Sequence, residues 1–231
     1  MQRSVNFDDR PPAAPINMIV IHYTGMQSAQ VALDRLCDPA SRVSAHFFID
    51  EDGSVLELVA PAKRAWHAGI SAWAGRHRLN DVSIGIELVN PGHEWGYRAF
   101  PPAQMTALID LVRQLKRKWR IPRNRIVGHS DIAPARKTDP GELFDWPRLA
   151  AHGLAIGPPV LAARRDGLVE KNAVPELKRL LNDIGYSSDI ASFSDIVIAF
   201  KRRFLPSDVS GDVSVAAQAA IRAIHRQHQR L

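Results

Sequence analysis

The chain has 231 residues, more than one average domain, and is 45% hydrophobic and 23% charged, a composition that excludes a disordered or fibrous protein. Its single cysteine, Cys37, excludes an internal disulfide and a cysteine-rich zinc site, so a metal here would need histidine and carboxylate ligands. A net charge of +6 favours an acidic partner such as nucleic acid, anionic lipid or an anionic cell-wall polymer, without choosing among them.

Residues 1–15, "MQRSVNFDDRPPAAP", lack the continuous apolar core of a signal peptide and are expected to form an N-terminal extension. No integral membrane segment is expected. The run "INMIVIHYTG" reads as a buried strand that delivers His22 to the end of a sheet. "SAQVALDRLCD" has a Ser start and apolar spacing suited to a short helix. "VSAHFFIDEDGSVLELV" reads as a hairpin turning at Asp52 and Gly53. In "DVSIGIELVN", Val82, Ile84, Ile86 and Leu88 alternate with Ser83, Gly85, Glu87 and Val89, so a strand would bury the first set and turn Glu87 to the other face. The small Ser83 and Gly85 beside it are expected to leave room for a ligand. "PPAQMTALIDLVRQLKRKW" carries Met105, Leu108, Ile109, Val112, Leu115 and Trp119 at helical spacing behind Pro102. "NRIVGH" is a further buried strand ending at His129.

Strands alternating with helices, plus one hairpin, predict an α/β fold with a mixed central β-sheet flanked by helices. The Pro- and Gly-containing stretch "LAIGPPVLAARRDG" is expected to be a linker over 154–168. Three helical patterns follow, around 173–184, 192–204 and 213–228, and predict a small all-α three-helix domain over 169–231.

His22, His129 and Asp139 together could hold Zn²⁺ and keep a fourth position for water, the mark of a catalytic rather than a structural zinc. With nine histidines in the chain chance pairings are easy, and a strand-end His is more often a satisfied core residue. Two features weigh the other way: both histidines end apolar strands, where α/β sheets bind ligands, and Asp139 follows His129 through a loop, "GHSDIAPARKTDPG", too rich in Gly and Pro to fold regularly. Glu87, a carboxylate on an apolar strand, needs either solvent or a partner; its chemical use would be as a general base for a water activated by zinc. Lys137 would stabilise an oxyanion.

The stretches "IVIHYTG", "VSAHFFIDEDGSV", "RAWHAG", "DVSIGIELVNPG" and "IVGHSDIAPARKTDPG", in this order over residues 16–150, resemble the zinc-dependent N-acetylmuramoyl-L-alanine amidases of the AmpD and AmiD type, which are related to bacteriophage amidases and peptidoglycan recognition proteins. The resemblance implies a zinc amidase domain over 16–153, one zinc ion on His22, His129 and Asp139, and catalytic roles for Glu87 and Lys137. It implies a substrate groove lined by His46, Trp66 and His67. Arg76, Arg78 and Arg136 are candidates for the carboxylates of a stem peptide, which suit a guanidinium fork. Some relatives carry Tyr where this chain has Ala45, which shifts the weight onto Glu87. Many eukaryotic recognition proteins carry Cys at the third ligand, where this chain has Asp139 as bacterial enzymes do.

The C-terminal segment resembles a peptidoglycan-binding domain through "LLNDIGY", "IAFKRRFLP" and "SGDVS", although Lys201 stands where a Gln is usual. The alternative is a plain bundle with Phe200, Phe204 and Leu205 as core. The expected function is hydrolysis of the amide between N-acetylmuramic acid, in its ordinary or 1,6-anhydro form, and L-alanine. The rival is a recognition protein that binds wall fragments without cutting them. Basic residues spread through both segments with no base-stacking motif argue against a nucleic-acid partner. A cytoplasmic location is expected, with the periplasm or cell envelope as the alternative if a leader has been removed.

Overall fold

The structure is a computed structural model and describes residues 3–159 and 173–230. In chain order its strands and α-helices begin with β1 (Phe7–Asp9), β2 (Met18–Tyr23), α1 (Ala29–Cys37), β3 (Phe47–Ile49), β4 (Val55–Glu57), β5 (Lys63–Ala65), β6 (Ala72–Trp73), β7 (Arg76–His77) and β8 (Ser83–Leu88). They continue with α2 (Gly92–Trp95), α3 (Pro102–Trp119), β9 (Ile126–Gly128), α4 (His129–Ile132), α5 (Trp146–Ala151), α6 (Val174–Ile184), α7 (Phe193–Phe204) and α8 (Val215–His228).

The central sheet has the order β4-β3-β8-β2-β9. β8, β2 and β9 run parallel, β3 is parallel to β8, and β4 closes the antiparallel hairpin on β3. The sheet is mixed, as the strand and hairpin pattern predicts. The period of two along each strand assigns the faces. Ile19, Ile21, Ile84, Ile86, Leu88 and Ile126 share one core with Met105, Leu108, Ile109, Val112 and Leu115 of α3. Leu108 is fully buried there, and Leu108→Ala would cost about 2–5 kcal/mol for lost transfer energy and the cavity left behind.

On the opposite face, Met18, Val20 and Val127 form a second core with Leu177, Leu181, Phe200, Ile221 and Ile224 of the C-terminal helices; Val82, expected on the face of Ile84, joins this core instead because it precedes β8 and lacks strand geometry. Those helices occupy the predicted ranges, with Ser192 and Ser214 accepting from backbone N–H groups at the N-termini of α7 and α8. Their apolar faces are shared with the sheet, because a sheet apolar on both faces must be covered on both. Phe200 and Phe204 are buried. Lys201 is fully buried, and its ammonium donates to Asp208 at 2.8 Å and Ser210 at 2.9 Å, so it serves the chain that follows α7.

Two boundaries differ from expectation. Leu154, Ala155 and Ile156, expected to open the linker, are buried in the two cores; the expected linker from 160 onwards lies outside the described residues. Within the expected N-terminal extension, residues 3–15 are tied to the domain: β1 pairs antiparallel with β5, Ser4 Oγ donates to the Leu36 carbonyl at 2.6 Å, and Arg10 donates to the Asn80, Asp81 and Ser83 carbonyls. "FDD" has no apolar alternation to announce a strand; ion pairs such as Lys63–Asp9 hold it.

Candidate metal centre

The parallel strands deliver the site. His22 and Glu87 are direct neighbours in the β2–β8 register, and His129 follows at once on the last residue of β9. All three thus reach the carboxyl ends of adjacent parallel strands, on the face away from α3. His129 begins a short helix, α4, rather than an irregular loop; a turn over 134–136 then brings the chain back to Asp139. The Ser130 N–H donates to the Asp139 carbonyl at 2.8 Å and closes this excursion.

The geometry fixes which atoms carry protons. Ser83 Oγ donates to the Leu79 carbonyl at 2.6 Å, so towards His67 Nε2, 3.1 Å away, it accepts. His67 therefore offers a lone pair at Nδ1, 3.1 Å from His22 Nε2. His22 donates there and leaves Nδ1 bare. His129 Nε2 lies 3.3 Å from the Ala68 carbonyl, and the same reasoning leaves its Nδ1 bare. These two nitrogens stand 2.9 Å apart, each 3.1 Å from Asp139 Oδ2.

Three electron-rich atoms at such distances with no proton among them repel one another unless a cation sits between them. Protonation supplies that charge poorly at His22, whose pKa is lowered to about 4 by burial first and by His129 second. Burial by itself would raise the pKa of Asp139, and only a positive charge or a donated proton on His129 and His22 would hold it below the ordinary carboxylate range. Zinc bonds of about 2.0–2.2 Å to N and O ligands correspond to ligand atoms roughly 3.4 Å apart in a tetrahedron, close to the spacing here. The donor set therefore fits a metal ion.

The cluster opens into a cavity of about 360 Å³ lined by His22, Trp66, Glu87, Arg136, Lys137 and Asp139, among others. Glu87 keeps one carboxylate oxygen, Oε2, buried without a hydrogen-bond partner. Burial is the largest cause of its strongly raised pKa and the charge of Asp139 adds to it, while Lys137 pulls the other way. A carboxyl so placed is tuned to exchange protons closer to neutrality.

Of the other residues expected in the groove, Trp66 and Arg136 line the cavity. The Arg136 guanidinium also donates to the Ala68 and Ile70 carbonyls. His67 borders the cavity too, but both its ring nitrogens are engaged, by His22 and Ser83, so it orients His22. The space beside Gly85 belongs to this ring: a Cβ on Gly85 would lie 2.4 Å from His67. The expected room for a ligand at Ser83 and Gly85 is thus filled.

His46 is fully buried and does not line the groove. Its Nδ1 accepts the Gly85 N–H at 3.0 Å, and its Nε2 lies 3.1 Å from the Lys63 carbonyl and 3.0 Å from Arg10. It braces the strand that carries Glu87. Arg76 and Arg78 are exposed on and beside the small β6–β7 hairpin, and neither lines the cavity.

A mixed α/β sheet with a His–His–Asp cluster suited to a metal, beside a cavity lined by a carboxyl with an unpartnered oxygen, defines a hydrolase-type centre. The family model for N-acetylmuramoyl-L-alanine amidase matches residues 12–142. The chain is 35% identical to the N-acetylmuramoyl-L-alanine amidase AmiD of Escherichia coli K12, over 90% of this chain and 82% of that protein. It is 37% identical to the 1,6-anhydro-N-acetylmuramyl-L-alanine amidase AmpD of Haemophilus influenzae, over 63% of this chain and 87% of that one. Among solved structures, E. coli AmiD in complex with anhydro-N-acetylmuramic acid-L-Ala-D-γ-Glu-L-Lys superposes with a TM-score of 0.82 at 33% identity, over 94% of this chain and 92% of that one. The chain belongs to the N-acetylmuramoyl-L-alanine amidase family and is an amidase.

Sequence reading missed Asp131, Tyr186 and Arg203, which meet behind α4. Asp131 stands three residues after Gly128 and accepts its N–H at 2.8 Å, a local pattern that a capping search could have found. No local signal pointed to Tyr186 or Arg203.

Proposed function

We propose that this amidase cleaves the amide between the lactyl group of N-acetylmuramic acid and the L-alanine of a stem peptide, using one zinc ion held by His22, His129 and Asp139. The observation that carries this reading is the trio of bare ligand atoms beside a carboxyl with an unpartnered oxygen. A bound zinc ion would supply Lewis acidity towards the scissile carbonyl and lower the pKa of a nearby water. Glu87 takes the proton of the attacking water and returns it to the leaving amine. Lys137, on the cavity wall, faces the charge that develops on the carbonyl oxygen. Trp66 offers an apolar surface to the substrate and Arg136 a cation for a stem carboxylate.

The substrate crystallised with E. coli AmiD is an anhydromuramyl peptide, which supports a soluble muropeptide as substrate here. We propose a cytoplasmic enzyme acting on such fragments, with the periplasm or cell envelope as the alternative; no helix among the described residues is long and apolar enough to cross a membrane. The test is incubation with anhydromuramyl peptide, with and without a chelator, and detection of free stem peptide by mass spectrometry. Release that a chelator abolishes and zinc restores is expected; binding without release would favour the recognition protein instead.

A further inference from the structure

The chain from Gly128 to Glu142 carries His129, Lys137 and Asp139, and the C-terminal helices grip it near both ends. Near its start, Arg203 of α7 donates to Asp131 Oδ2 at 2.6 Å and to the Ile126 carbonyl at 3.1 Å. Its guanidinium lies 4.0 Å from the Trp146 ring centroid. Tyr186 donates to the other Asp131 oxygen at 2.7 Å, and Asp131 accepts the Gly128 N–H. Both charged side chains are buried, at 4% and 1% exposure, so this pair is shielded from water and salt. Near the far end, Arg202, the preceding residue of α7, reaches Glu142 at 3.3 Å. Glu142 also meets His93 at 3.0 Å, and His93 meets Tyr23, the neighbour of His22.

Nothing in hydrolysis requires a carboxylate at position 131 or an arginine at 203, and neither lines the cavity. Their geometric effect falls on His129, whose backbone lies between Gly128 and Asp131, and through the Ser130–Asp139 hydrogen bond on Asp139 as well. Partners that orient metal ligands change metal affinity without touching the metal.

We infer that Arg203 and Arg202 are positioning residues for the metal-ligand loop, so that the C-terminal helices form part of the catalytic framework whatever else they bind. This inference rests on the metal centre proposed above. Arg203 acts through Asp131 on His129; Arg202 acts through Glu142 and more weakly, being less enclosed.

The test is zinc affinity of the full chain, by competition with a chromophoric chelator, alongside melting of the metal-free protein and kcat and KM on anhydromuramyl peptide. Arg203→Met is expected to weaken zinc binding by about 10–100-fold and to lower kcat more than KM changes, with Arg203→Lys recovering part of both. Asp131→Ala/Arg203→Met removes both buried charges, so it should melt nearer the parent than Arg203→Met does, yet still bind zinc weakly. Arg202→Met, at a less enclosed site, should fold and show a smaller loss in the same direction. Parental zinc affinity in Arg202→Met and in the double variant would overturn the inference. So would a double variant that regains stability and zinc affinity together. If the variants fail to fold at position 203, Arg202→Met decides alone. A parent chain that binds no zinc would instead sink the proposed metal centre.

Discussion

Asp131 and Asp139 belong to the same stretch of chain and are nearly equally buried, at 1% and 6% exposure, but their surroundings are opposite. Asp131 is saturated by a guanidinium, a phenol and a backbone N–H. Every partner is a donor, and the charge is balanced within the protein. Asp139 faces two imidazole nitrogens whose other ring positions are already committed as donors. Its charge is completed only by something from outside. Burial therefore does not separate a structural carboxylate from a functional one; the protonation state forced on its neighbours does.

The sharpest way to break this contrast is to remove each carboxylate. Asp139→Ala should abolish zinc binding and bring peptide release below detection, with no loss of melting temperature in the metal-free protein, since a repelling group has gone. Zinc retention by this variant, read by elemental analysis, would refute the assignment. Next in size is Glu87→Gln, expected to keep zinc and lose about 10²–10⁴-fold in kcat, the usual weight of a general acid–base. Because Glu87 must be ionised to accept a proton and its pKa is raised, the parent's kcat should fall on acidification at a pH above the ordinary carboxylate range.

Lys137→Met should follow with about a 10²–10³-fold fall in kcat, the scale of one oxyanion donor, with zinc again retained. Asp131→Ala should act chiefly on stability: it strands the buried Arg203 charge at a cost of about 3–5 kcal/mol, measurable by urea unfolding. The smallest effect concerns His46, whose pKa is lowered to about 3 by burial and then by Arg10. The unfolded chain binds this proton near pH 6.5 and the folded one only near 3. Stability from this group is therefore complete above 6.5 and lost as pH falls towards 3. A folded His46→Gln variant should show a shallower decline in urea midpoint between pH 7 and 5; an unchanged slope would exclude His46 as the source.

Much of the site was legible in the sequence, because its residues sit inside strongly patterned segments. The alternation in "SIGIEL" turned Glu87 away from the α3 core, and the ends of "MIVIH" and "IVGH" brought both histidines to one end of the sheet. The groove was read less well. His46 and His67 flank the same strand in similar motif contexts, yet one is enclosed behind Gly85 and the other borders the cavity. Both rings lie on the same face of the sheet, their centroids 5.5 Å apart, and which of them is sealed from the cavity depends on neighbours far away in the chain, such as Arg10 beside His46. The sharing of one core between sheet and C-terminal helices was equally hidden, since an amphipathic helix shows that it has a partner and not which one.

What the sequence by itself determined is the set of chemical groups and the secondary structure that carries them, since side-chain period and strand ends are local properties. Only the tertiary structure decided which lone pairs are left bare and which charges are cancelled. Those outcomes rest on contacts between residues far apart in sequence, His22 with His129 and Asp131 with Arg203, where a few tenths of an ångström decide whether a hydrogen bond forms.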